Sequence, residues 1–144
     1  MRGTEHNSSS RLKPSGWASL FVNTQSYYSQ ADQCFRLALQ QQKKIVTTNY
    51  VVAELVALLN SPLRIPRLQV FEIVDAIKTV PYVEIIHINN VIDTSAWELC
   101  KSRPDKAWSL VDCTSFVVMQ QLGIQQALTT DQHFEQAGFI RLLK

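Results

Sequence analysis

Apolar side chains recur along this chain at spacings that change from segment to segment, and the changes mark its elements. Between Ser29 and Gln42, Ala31, Cys34, Phe35, Leu37 and Ala38 fall at helical intervals, which predicts an amphipathic helix. The run Ile45-Val46-Thr47-Thr48 is wholly β-branched and predicts a strand. Tyr50 to Leu59 is apolar on nearly every side and reads as a buried helix, ended by Asn60, Ser61 and Pro62. Leu68 to Lys78 places Val70, Phe71, Val74 and Ile77 on one side of a further helix. Val83 to Ile88 is strand-like, and Val91 to Ser102 is helical until Arg103-Pro104-Asp105 breaks it. Trp108 to Leu122 is a long apolar helix that stops at Gly123, a residue suited to the position just past a helix end. Ala127 to Thr130 is a short strand, Gln132 to Gln136 a helical turn closed by Gly138, and Phe139 to Leu143 the last strand. Near the start, Trp17 to Val22 reads as a short helix.

Strands separated by helices imply an α/β fold, a parallel sheet with helices on both faces. Residues 1–14 stand apart. They are polar, include Ser8-Ser9-Ser10, and offer Leu12 as almost the only large apolar side chain. They are expected to be irregular or disordered, ahead of one domain over residues 15–144.

Composition narrows the class without naming a function. At 144 residues, 46% hydrophobic and 18% charged, the chain can bury a real core and is not a disordered protein. A net charge of +2 is too mild to argue for nucleic-acid binding alone. Cys34, Cys100 and Cys113 are odd in number and lack CxxC spacing, which points away from a disulfide framework or a zinc site and toward a reducing, cytoplasmic setting. Cys113, inside an apolar run, reads as a small core residue. No apolar run reaches transmembrane length, and residues 1–14 lack the apolar core of a signal peptide.

Three carboxylates occupy comparable places. Glu54 lies one turn into the helix after Ile45 to Thr48, Asp112 in the first turn of the helix opened by Ser109, and Asp131 directly after the strand Ala127 to Thr130. In a parallel α/β sheet such positions gather at the C-terminal edge of the strands, where ligands bind. Carboxylates gathered there repel unless a cation lies between them, and hard oxygen ligands suit Mg²⁺ or Mn²⁺. Such an ion activates water and stabilises charge during phosphodiester hydrolysis. Each acid also has a plain structural role to fill. Ser109 and Asp112 have capping-box spacing, Asp131 suits a helix cap, and Glu54 suits a solvated helix face. His133 lies within reach of a phosphate at such an edge, though a lone His is more often packed or at the surface. Trp97, Trp108 and Phe116 can stack on bases, but on apolar helices they fit the core better. The hydroxyls of Thr48, Thr114 and Ser115 more often cap helices than bind a metal's water.

The run from Asp105 to Phe116, containing Ser109-Leu110-Val111-Asp112, resembles the signature of VapC-like PIN-domain proteins. Ala127-Leu128-Thr129-Thr130-Asp131-Gln132-His133-Phe134, continuing to Phe139, resembles that family's closing motif, and Thr47 to Glu54 its second motif. The resemblance spans residues 16–143 and implies a three-layer α/β/α fold. It also implies a Mg²⁺- or Mn²⁺-dependent endoribonuclease in which Glu54, Asp112 and Asp131 match the second, third and fourth acids. Relatives of this kind are toxins that cut RNA, form homodimers and are held by a cognate antitoxin.

The match departs at its start. The family opens with an apolar strand ending in Asp. Here Ser15-Gly16-Trp17-Ala18-Ser19-Leu20 resembles the family's segment just past that Asp, so Lys13 stands in its place. Thr4 to Arg11 holds no apolar run suited to a buried parallel strand. The first central strand is therefore expected to be missing or degenerate, and activity on RNA weak or absent. That departure leaves two alternatives open. One is a non-catalytic binding module that uses helical surfaces around Val51 to Leu59 and Phe71 to Ile77. The other is a gene product with an altered start.

Overall fold

The computed structural model describes residues 10–12 by their backbone and residues 28–144 in full. Lys13 and the expected helix at Trp17 to Val22 lie outside the described residues. In chain order the elements are β1 (Ser10–Leu12), α1 (Tyr28–Gln40), β2 (Ile45–Thr48), α2 (Asn49–Asn60), α3 (Arg67–Thr79) and β3 (Val83–Ile86). Next come α4 (Asn90–Ser102), α5 (Leu110–Leu122), β4 (Gln126–Leu128), α6 (His133–Gln136) and β5 (Ile140–Arg141).

The five strands form one parallel sheet in the order β3-β2-β1-β4-β5. β1 lies at its centre, with Ser10 and Arg11 opposite Ile45 and Val46 on one side. On the other side Ser10, Arg11 and Leu12 face Gln126, Ala127 and Leu128. The first central strand, expected to be missing or degenerate, is present in a short form of three residues. Residues 10–12, within the segment expected to be irregular, pair with two other strands. The physical reason is that a parallel ladder is built from backbone N–H and C=O groups. β2 and β4 each need a partner on their inner edge, and Ser-Arg-Leu can supply one without an apolar run.

Neighbouring residues of one strand face opposite layers, and this alternation assembles the two cores. Ile45 of β2 and Leu128 of β4 join Ala31 and Ala38 of α1, Val51, Leu55 and Leu59 of α2, and Val70 and Ile77 of α3. Val46 and Ala127, one residue away in each strand, join Ile92 and Ala96 of α4 and Cys113, Phe116, Val118 and Met119 of α5. The result is a three-layer α/β/α arrangement in which all four residues of β2 are buried. On the α5 side, Phe116 meets Trp108 and Phe134 edge-on, with ring centroids 5.1 and 4.9 Å apart.

Helix ends follow local chemistry. Thr48 caps α2 by accepting a hydrogen bond from the Val51 N–H at 3.2 Å. Asn89 does the same for Ile92 in α4 at 2.9 Å. α5 begins at Leu110 and not at Trp108, because Ser109 takes the extended conformation of a cap. It ends at Gly123, whose φ of 69° is the left-handed geometry a side chain resists. Trp108 and Phe116 are core residues, as their positions suggested, but Trp97 is half exposed on α4. Val56 and Phe71, on the two helical surfaces named above, are also exposed. Among the described residues no helix is long and apolar enough to cross a membrane.

Candidate metal centre

β4 ends at Leu128, and the chain beyond it turns tightly at the C-terminal edge of the sheet. Thr129 Oγ1 accepts a hydrogen bond from the Asp131 N–H at 3.0 Å. Asp131 Oδ1 in turn accepts one from the His133 N–H at 2.9 Å. These local bonds are the kind short polar side chains make in turns, and they fix where the Asp131 carboxylate points. Two residues of this turn, Asp131 and His133, carry polar tips that stay partly open to solvent.

The neighbouring helix supplies the third group. Asp112 is the third residue of α5 and closes a capping box with Ser109. Ser109 Oγ accepts from the Asp112 N–H at 3.0 Å, and Asp112 Oδ2 accepts from the Ser109 N–H at 3.1 Å. The box satisfies two N–H groups that a helix start leaves unpaired. It also locks the side chain of Asp112, which is only 3% exposed.

His133 Nδ1 lies between the two acids, 3.1 Å from Asp112 Oδ2 and 3.3 Å from Asp131 Oδ1. One ligand atom from each of Asp112, Asp131 and His133 lies within 4.8 Å of the others. Two anionic oxygens and an imidazole nitrogen at this spacing suit a divalent cation. Two of the acids singled out in the sequence, Asp112 and Asp131, are thus brought together. Glu54 is half-buried on α2 and is not one of the three.

His133 is the residue that sequence reasoning undervalued. Its imidazole reaches Asp112 across 21 residues of chain, so periodicity could not show the contact. The signal available was its place two residues after Asp131, in a turn expected at the sheet edge. Of the hydroxyls weighed as caps, Thr48 caps α2, whereas Thr114 and Ser115 donate back to the Val111 carbonyl at 2.6 and 3.1 Å.

Arg103 and Asp105, in the loop before α5, pair through two hydrogen bonds of 3.0 and 2.8 Å. The Arg103 guanidinium holds the Asp105 carboxyl down to about 2, and it also lies 5.4 Å from the Trp108 ring centroid. Below the carboxylate pair, Cys113 is fully buried. Burial, then the neighbouring Cys100 thiol and Asp112, push its own thiol up to about 12.

The family model described as PIN domain matches residues 19–140. The 23S rRNA-specific endonuclease VapC20 of Mycobacterium tuberculosis, in strains CDC 1551 / Oshkosh and ATCC 25618 / H37Rv, is 32% identical over 107 residues, which is 74% of this chain and 79% of that protein. The crystal structure of Mycobacterium tuberculosis VapC20, a Sarcin-Ricin loop cleaving toxin, superposes with a TM-score of 0.77 at 29% identity, covering 90% of this chain and 95% of that one.

Proposed function

Because the chain belongs to the VapC-like PIN-domain family, we propose that it is a metal-dependent endoribonuclease of the toxin type, with a site formed by Asp112, Asp131 and Glu54. The observation that carries this reading is the convergence of the Asp112 and Asp131 carboxylates at the C-terminal edge of the sheet. Two carboxylates so grouped, with an imidazole between them, form a donor set for a divalent cation. Mg²⁺ or Mn²⁺ bound there would offset phosphate charge and make a water nucleophilic near neutral pH.

The chain's own residues do the positioning. The capping box holds Asp112 in one rotamer, so little side-chain freedom is left to lose when a cation arrives. The Thr129 hydroxyl, which accepts from the Asp131 N–H, and the His133 N–H, which donates to Asp131 Oδ1, hold Asp131 in a similar way. Glu54, one turn into α2, enters as the acid that the family pattern places on that helix. RNA is the substrate, and the sarcin–ricin loop of 23S rRNA is the first sequence to try, since a relative bears that name. A second copy of the chain and a cognate antitoxin are the expected protein partners, in the cytoplasm where ribosomal RNA is found.

Lys13 stands where the family pattern has its first Asp. A cation site short of one carboxylate, with an ammonium group in the aligned position, should cut slowly. Purified protein incubated with 23S rRNA and Mg²⁺ or Mn²⁺ is expected to cleave weakly. Lys13→Asp should raise the rate by about tenfold or more, the scale on which metal-site partners act, and Asp112→Ala should abolish it. Failure of Lys13→Asp to cut any RNA under either ion would overturn the nuclease reading and favour a binding module.

A further inference from the structure

His133 makes more than an ordinary contact with its neighbours. Its Nδ1 lies 3.1 Å from one carboxylate oxygen and 3.3 Å from another, and these belong to separate parts of the fold. Nδ1 is within hydrogen-bond distance of Asp112 Oδ2, but it cannot serve both oxygens equally well. An N–H at Nδ1 can point well at only one of the two oxygens, and a bare lone pair at Nδ1 would face both with like charge. Three donors grouped in this way suit a cation. Around a six-coordinate ion with bonds of about 2.1 Å, adjacent ligand atoms lie about 3 Å apart and opposite ones about 4.2 Å apart. The 3.1 and 3.3 Å separations from Nδ1 fall close to the adjacent value.

We propose that His133 is a metal ligand through Nδ1, which makes this a mixed carboxylate–imidazole site selective for Mn²⁺ over Mg²⁺. This rests on the metal-dependent reading above and specifies the ion. Mg²⁺ prefers oxygen ligands and gives up water reluctantly, whereas imidazole nitrogen suits first-row transition ions. The donor set therefore discriminates by ligand chemistry even though both ions fit its size. Asp112 is held by its capping box and Asp131 by its turn, so the imidazole adds a nitrogen donor beside two oxygens that are already aimed.

The test uses the full-length protein stripped of metal and titrated with Mn²⁺ or Mg²⁺ alone, with no RNA present. Calorimetry should give at least tenfold tighter binding of Mn²⁺. Pulsed electron paramagnetic resonance of the Mn²⁺-loaded protein should show the modulation of a directly bound ¹⁴N. That pattern should change to the ¹⁵N form when histidine is supplied as ¹⁵N, which requires no mutation. His133→Gln should remove the nitrogen signal and weaken Mn²⁺ by about tenfold or more, with Mg²⁺ affected much less. Mn²⁺ bound without nitrogen coupling, but lost in Asp112→Asn, would overturn the role of His133 and leave the metal-dependent reading standing. Nitrogen coupling that survives in His133→Gln would do the same. Failure of both ions to bind would overturn both.

Discussion

Asp112 carries two duties through one carboxylate, because its Oδ2 accepts from the Ser109 N–H and also faces His133. The two can be separated by substitution. Ser109→Ala removes the hydroxyl acceptor of the box and should destabilise the fold by about 1 kcal/mol, the usual cost of a lost cap. It should leave cation binding nearly intact, since Ser109 is not one of the convergent donors. Asp112→Asn keeps an acceptor for the Ser109 N–H but removes the charge, so cation affinity should collapse with a smaller loss of melting temperature. Calorimetric titration and thermal melts on the two variants check both halves. The capping box is legible from spacing alone, as Ser109 and Asp112 sit three apart before an apolar run. The contact with His133 is not, because it depends on how the turn after β4 packs beside α5.

Cys113, next to Asp112, brings pH dependence to the same helix. Burial raises its thiol from an ordinary 9.0 to about 12, so the folded protein keeps a proton that the unfolded chain releases. Stability from this source is fully present below about pH 9 and falls as pH climbs from there through the raised value. Melting temperature is expected to drop from about pH 9 upward, and Cys113→Ala should flatten that drop while lowering stability at neutral pH through the cavity it leaves. A profile with the same slope in both proteins would remove Cys113 as the cause.

At the level of elements, α2 to α5 follow the hydrophobic periodicity within a residue or two, because an amphipathic face records which side will be buried. From β4 onward the same pattern overstates strand length. It carries β4 to Thr130, but the strand ends at Leu128, and the Thr129 hydroxyl beyond it accepts from the Asp131 N–H. β1 has no signature at all. Its place is set by two neighbours' need for backbone partners, and such a need is invisible in side-chain pattern. This makes β1 testable by backbone chemistry. Arg11→Pro removes an N–H at the middle of a central strand and should cost about 3 kcal/mol or more. Arg11→Ala should cost little. Equal melting temperatures for the two variants would mean that Ser10–Leu12 contributes no ladder.

Across the whole molecule, β1 joins two halves of the sheet that do not pair with each other directly. β2 with β3 lies on one side and β4 with β5 on the other. The family pattern was legible because its motifs sit at the ends of β2 and β4, where the topology makes an edge for ligands. The order of synthesis then acquires a meaning. β1 and β2 emerge from the ribosome early, yet β1 gains its second neighbour only after residues 126–128 are made. Asp131 and His133 come later still. At about 5–20 residues per second, the nascent chain spends most of its birth with Asp112 unmade or alone. The Asp112–Asp131–His133 cluster is therefore assembled last, and an interrupted chain that stops short of Asp131 lacks it.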